Sequence, residues 1–154
     1  MKTAIVGHGS NKFNKKTEKA AKDLIKSILS DPKNTNVIAI SGHSPMGGID
    51  IWTEEAAKEL GIKMEIKAPK QQTWDAEYGY KQRNLDIART CDEIHVILVT
   101  EYPETYKGKK FNECYHCAKH PEGKEIAKHV KSGGCWTGWE AFKLGKECFW
   151  HIVK

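Results

Sequence analysis

The run Ser132-Gly133-Gly134-Cys135-Trp136-Thr137-Gly138-Trp139-Glu140 joins residue types that hold a phosphate to one that can assist bond cleavage. Paired glycines remove the Cβ atoms that would keep a ligand off the backbone. The first amides of a helix lack intrahelical acceptors, and the helix dipole favours an anion there. Thr137 and Glu140 are three residues apart, so a helix starting near Thr137 puts both on one face. A hydroxyl for phosphate and a carboxylate for sugar or proton transfer would then share one site.

A second constellation suits a metal. Cys114-Tyr115-His116-Cys117 supplies a Cys-x-x-Cys knuckle, and His129 with Cys135 follows at distances that complete a tetrahedral set of three sulfurs and one imidazole. His116 and His120 compete with His129 for the histidine position. Zinc here would be structural, because four protein ligands leave no open coordination position. The competing readings are free thiols or a redox pair, and a redox pair normally opens a helix after a strand, a context missing at Cys114. Cys91 and Cys148 read as thiols buried against a sheet.

The elements that must position these groups alternate. Residues 3–6, 37–40, 63–67, 93–100 and 148–153 read as strands, the second and fourth apolar on successive residues, as strands buried on both faces are. Ala21, Leu24, Ile25, Ile28 and Leu29 form one helical stripe; Ile49, Trp52, Thr53, Ala56 and Leu60 form another that stops at Gly61. Residues 74–90 and 137–144 read as two further helices. This alternation predicts an α/β, Rossmann-like, doubly wound domain: a mostly parallel sheet of about five strands with helices on both faces. One domain spans residues 1–154, and the stretch at about 101–131, which breaks the alternation, reads as an insertion with its own local structure.

Ligands of such sheets bind beyond the carboxyl ends of the strands, where three glycine turns fall. Gly7-His8-Gly9-Ser10 follows the first strand, Ser41-Gly42-His43 through Gly47-Gly48-Ile49-Asp50 the second, and Ser132 to Thr137 precedes the last helix. Three such turns on one edge predict a phosphate-lined cleft. His8 and His43 either donate to a phosphate or are held by loop hydrogen bonds, and Asp50 either meets ligand or caps a helix. Tyr80, Arg83, Asn84 and Ile87 share a helical face, which aims Arg83 and Asn84 at the cleft; the competing arrangement is a surface pair of Arg83 with Asp86 or Glu77. Trp52, Trp139 and Trp150 read as packing residues, whereas Trp74 and Trp136 sit in loop-like contexts where a base could stack. There is no Gly-x-Gly-x-x-Gly, the NAD fingerprint, and no Gly-Lys-Ser/Thr of a Walker nucleotide hydrolase.

The segment from Ser41-Gly42 to Gly48-Ile49-Asp50, with Glu54, Ala56, Ala57 and Gly61, resembles the Ser-Gly…Gly-Ile-Asp…Ala motif of the SMF branch of the SMF/DprA–LOG (SLOG) superfamily of Rossmann-like nucleotide-binding proteins. Ser132 to Glu140 is similar to the LOG branch's Pro-Gly-Gly-x-Gly-Thr-x-x-Glu, with Ser132 in place of the proline and Trp136 in place of the third glycine. Arg83-Asn84, Ile87-Ala88 and Asp92 resemble the superfamily's arginine helix. The LOG resemblance implies a phosphoribohydrolase that cleaves the N-glycosidic bond of a nucleoside monophosphate. Arg83 and Glu140 would be its catalytic pair, Gly133, Gly134 and Thr137 would hold the phosphate, and the site would draw on a dimer partner. The SMF resemblance implies the alternative, a non-catalytic nucleotide or nucleic-acid binding module, here with a structural zinc.

Composition narrows the rest. At 154 residues and 39% hydrophobic the chain can bury one real core. Its longest apolar runs fall far short of a membrane span, and the lead into the first glycine turn lacks a signal peptide's apolar region, so the expected compartment is the cytoplasm. A net charge of +5, carried by scattered lysines, suits a small anionic ligand better than nucleic acid.

Overall fold

The structure, a computed structural model, describes residues 1–34 and 36–154. Five strands, β1 (Lys2–Gly7), β2 (Ile38–Ser41), β3 (Lys63–Ile66), β4 (Glu93–Val99) and β5 (Glu147–Val153), form one all-parallel sheet in the order β3-β2-β1-β4-β5. Thr3 pairs with Ala39 on one side and Glu93 on the other. The helices are α1 (Lys15–Leu29), α2 (Ile49–Leu60), α3 (Tyr80–Thr90), the single-turn α4 (Tyr115–Ala118) and α5 (Gly133–Lys143). The expected α/β, Rossmann-like architecture is therefore present, and strand order reverses between β1 and β4.

Side-chain alternation divides the core into two layers. Ile5, Ala39, Ile97 and Val99 face α1 and α2, packing on Ala21, Ile25, Ile49 and Ala56. Ala4, Val6, Ile40, Val96 and Leu98 face α3 and α5, packing on Ile87, Ala88 and Trp139. The interior strand β4 is buried at every residue, whereas the edge strands β3 and β5 expose Ile66, Phe149 and Ile152. Asn14 and Thr17 form a reciprocal capping box that starts α1. No helix among the described residues is long and apolar enough to cross a membrane.

Two helix boundaries differ from the sequence reading. The third helix begins at Tyr80, since residues 74–79 turn instead, with Tyr78 at φ 61 and the Gly79 amide bonded to the Ala76 carbonyl. The last helix begins at Gly133, four residues earlier than expected, because the Ser132 hydroxyl accepts the Gly134 amide at 3.0 Å and so caps the helix ahead of the glycines. The glycine pair is thus the first turn of α5, and Trp136 lies on a helix where a loop was expected.

The segment at 101–131 does more than fill a surface. Cys114, Cys117, Ala127 and Val130 are fully or almost fully buried, and the Val130 amide bonds the Val99 carbonyl at 2.9 Å, prolonging the end of β4.

Gly48 and Gly61 test the tight β2–α2 geometry. Both have left-handed φ, 75° and 69°, but a Cβ at Gly48 would collide with the His8 carbonyl and Gly9, while nothing lies within 4 Å of one at Gly61. Gly61→Ala should cost about 1 kcal/mol from backbone strain alone. Gly48→Ala should cost about 3 kcal/mol or more, because the first and second turns must also part. Urea unfolding of both variants checks this, with equal losses contradicting it.

Candidate functional site

The crevice at the reversal point is built by turns leaving three strands and by the start of α5. It is a cleft of about 340 Å³ lined by Val6, Gly7, Ser44, Met46, Asp50, Trp74, Tyr80, Arg83, Asn84, Ile87, Gly133, Gly134 and Thr137. The close approach of α5 to β1 depends on glycine: a Cβ at Gly134 would lie 2.9 Å from the Gly7 nitrogen. The helix therefore delivers its amino end to the floor of the cleft, where its dipole favours an anion.

Arg83 and Asp50 form the charged wall. The Arg83 guanidinium donates to the Gly42 carbonyl and, through Nε, to Asn84 Oδ1 at 2.7 Å; it lies 3.9 Å from Asp50 Oδ2 and against the Tyr80 ring. Asp50 Oδ2 accepts the Ser44 amide at 3.0 Å. Burial pushes the Asp50 carboxyl up to about 6 against the opposing pull of Arg83 and the Ser44 amide. A carboxyl so placed can hold or release a proton near neutrality, the property required of a general acid or base. Asp50 therefore does not cap α2 with its side chain, and Arg83 does not pair with Asp86, which instead binds Lys67 at 3.3 Å.

The sequence-named residues divide between sites. Gly7, Asp50, Arg83, Asn84, Gly133, Gly134 and Thr137 share the cleft. Gly7, His8, Gly9 and Gly133 also line a neighbouring pocket of about 290 Å³ with Lys12, Tyr102, Tyr106, Lys109, Phe111, Lys131 and Ser132. Ser10, Ser41, Gly42, His43, Gly47 and Gly48 line neither and shape the turns. The Ser10 hydroxyl donates to the Met46 carbonyl at 3.0 Å, and the buried Ser41 hydroxyl accepts the His43 amide at 3.0 Å and lies 2.8 Å from Glu54. The His43 ring pairs with Glu54 at 2.9 Å. His8 Nε2 accepts the Val99 amide at 3.1 Å, and burial lowers its pKa to about 3, so it stays neutral and serves the turn.

Glu140 is not in the cleft. It lines a smaller pocket of about 210 Å³ with His116, His120, Trp136, Trp139 and Lys143, and forms an ion pair with Lys143. The expected partnership of Thr137 and Glu140 at a phosphate fails because α5 starts at Gly133, which leaves Glu140 almost two turns from the amino end and paired with Lys143. Thr137 stays at the amino end, buried, with its hydroxyl 3.5 Å from the Gly133 carbonyl. Trp74 lines the cleft and meets Trp136 edge-on at 4.8 Å. The sequence reading did not place Asp50 beside Arg83 or find the lysines of the neighbouring pocket.

The metal constellation does assemble. The donor atoms of Cys114, Cys117, His129 and Cys135 all lie within 4.8 Å of one another, every residue buried, so the cluster could hold a metal ion. His129 Nε2 is 3.4 Å from Cys117 Sγ and 3.7 Å from Cys135 Sγ, while Nδ1 faces the Val130 carbonyl at 2.6 Å. With Nδ1–H donating to that carbonyl, Nε2 is the atom free to act as ligand. The Trp139 indole donates to Cys117 Sγ at 3.5 Å. Burial alone would lower His129, but the Cys114 and Cys117 sulfurs raise it to about 9. Side-chain hydrogen bonds from Cys117 and Cys135 hold Cys114 far below the usual thiol range, while burial and the neighbouring sulfurs push Cys135 up. The rival histidines lie apart: His120 stacks on Trp139 at 4.4 Å, and His116 lies tilted against Tyr115. Cys91 is fully buried as expected, and Cys148 only half-buried.

Fold and clusters together define a Rossmann-like domain with an open cleft at its strand reversal and a buried three-cysteine, one-histidine cluster beside it. No protein-family model, curated protein or solved structure matches the chain.

The raised Asp50 carboxyl gives a signed pH dependence. Between pH 4 and pH 6 the folded chain holds a proton at Asp50 that the unfolded chain, near pKa 3.8, has released, so Asp50's contribution to stability falls as pH rises through that window. Relative to wild type, Asp50→Asn should therefore gain stability from pH 4 to pH 7, by about 2–3 kcal/mol. Denaturant unfolding of both proteins at the two pH values measures the difference, and a pH-independent gap would contradict the raised carboxyl.

Proposed function

We propose that the chain binds a nucleotide or phosphorylated nucleoside in the cleft at the strand reversal, with phosphate on the first turn of α5 and the base against Trp74 and Tyr80. One observation carries this reading: a glycine-built helix start and Arg83 converge on a single aromatic-lined cleft. The Ser132 side chain and carbonyl take the Gly134 and Cys135 amides, which leaves the Gly133 amide to a ligand. Arg83, held by Gly42 and Asn84, presents a preorganised fork suited to phosphate. This agrees with the resemblance to the SMF/DprA–LOG superfamily.

A hydrolytic reading has support from Asp50 but not from Glu140. Cleaving an N-glycosidic bond builds positive charge on the ribose, which a nearby carboxylate stabilises. In this cleft that group is Asp50, ionised above pH 6, with Arg83 fixing the phosphate. Calorimetric titration with nucleoside mono-, di- and triphosphates, with free base assayed in the same samples, tests both readings. Arg83→Ala should weaken binding by at least tenfold, the scale of one lost charge-assisted contact. Any base release should vanish in Asp50→Asn and persist in Glu140→Gln. Absence of binding across the panel sinks the proposal.

The metal of the buried cluster is proposed to be zinc, in a structural role. Zinc bonds of about 2.3 Å to sulfur and 2.0–2.1 Å to nitrogen make tetrahedral ligand–ligand edges of roughly 3.5–3.8 Å, which the two sulfur–nitrogen separations approach. Three thiolates and an imidazole suit zinc in preference to harder cations. Native mass spectrometry should find one zinc per chain, absent from Cys117→Ser, with the melting temperature lower by about 10 °C. A metal-free, equally stable wild-type protein contradicts it.

A further inference from the structure

The pocket beside the cleft has an unusual lining. Lys12, Lys109 and Lys131 border it, no aspartate or glutamate does, and none of the three ammonium groups has a carboxylate partner among the described residues. Aromatic rings hold the lysines in place. Lys12 Nζ sits 4.3 Å from the Tyr106 ring centre and 3.1 Å from its hydroxyl, Lys109 Nζ 5.1 Å from Phe111, and Lys131 Nζ 5.1 Å from Phe111 and 5.0 Å from Tyr115. Side chains restrained in this way lose less freedom when an anion arrives.

This pocket and the cleft are two lobes of one crevice, since both are bordered by Gly7 and by Gly133. A phosphate on the start of α5 therefore stands at the junction. The first lobe already supplies Arg83 and a helix dipole, enough for one phosphate, and the three unpaired cations of the second call for further negative charge. We infer that the site takes a nucleoside di- or triphosphate, with the nucleoside in the cleft and the outer phosphates in the lysine-lined lobe. This rests on the nucleotide reading of the cleft and replaces its monophosphate form. It also gives the segment at 101–131 a task, because that segment supplies Lys109, Lys131 and all the aromatic rings.

The test is calorimetric titration of the full chain with the mono-, di- and triphosphates of adenosine, guanosine, cytidine and uridine, and with inorganic tripolyphosphate. The same series is run on K12Q/K109Q/K131Q and on the single variants, with circular dichroism as the fold control. The expected result is affinity rising by about tenfold or more from mono- to triphosphate, a gain that added salt reduces and that the triple variant abolishes while monophosphate binding stays within about twofold. Nucleotides binding with equal affinity whatever their phosphate number would overturn the inference and leave the nucleotide cleft standing. Tripolyphosphate binding lost in the triple variant, with no nucleotide bound, would keep the anion lobe and overturn the nucleoside assignment. No binding by any probe overturns both.

Discussion

The arrangement of the crevice depends on one buried cluster. Cys114, Cys117 and His129 come from the segment after β4, and Cys135 from the first turn of α5, so whatever joins the four donors joins that segment to the helix. Sulfurs and an imidazole this close and this buried are costly without an ion to share, because the low-dielectric interior penalises each charge or unpaired proton. Fastening Cys135 also fixes Gly133 and Gly134 against β1, and fastening His129 fixes Lys131 two residues on.

The sheet contributes the other half. Its order reverses between β1 and β4, so the chains leaving those strands diverge and a hollow opens above Gly7. The first lobe is walled by turns after β2 and β3, whose length brings Trp74, Tyr80 and Arg83 over the hollow. The second is walled by the segment after β4. A small α/β domain thus obtains a crevice with an aromatic, ion-paired side and a cationic side from one topological feature. The core strands only need to be continuous and apolar, which β4 is along its whole length.

That division explains what could be read in the sequence. Strand positions were legible because period-two and continuous apolar runs are forced by burial, and the stop of α2 at Gly61 because a left-handed residue ends it. The cysteine–histidine set was legible because a Cys-x-x-Cys pair is restrictive, and the structure brings His129, the histidine named with Cys135, into the cluster while its competitors His116 and His120 lie against aromatic rings. The start of α5 was not legible: glycines are poor helix formers, and only the Ser132 cap shows that the helix begins with them. The lysine lobe was hidden for a different reason. Lys12, Lys109 and Lys131 are far apart along a chain with 25 basic residues, and nothing local marks them as a group.

The misplacement of Glu140 carries the most chemical weight. The resemblance that named it assumes a glycine turn followed by a helix, with the glutamate on the turn's side. Here the glycines are already helical and Trp136 takes the place of a glycine, with its ring against Trp74 and bordering Glu140's pocket. The carboxylate is thereby committed to Lys143 and to a pocket walled by His116 and His120. The carboxyl that remains in the crevice, Asp50, is positioned by the second glycine turn, and its proton affinity is set by burial against Arg83. On the proposed nucleotide reading, a carboxyl drawn from the second turn would orient the sugar from the α2 side. That reading assigns the chemistry to the Asp50–Arg83 pair and the phosphate to the start of α5, whose first turn also carries Cys135 of the cysteine–histidine cluster.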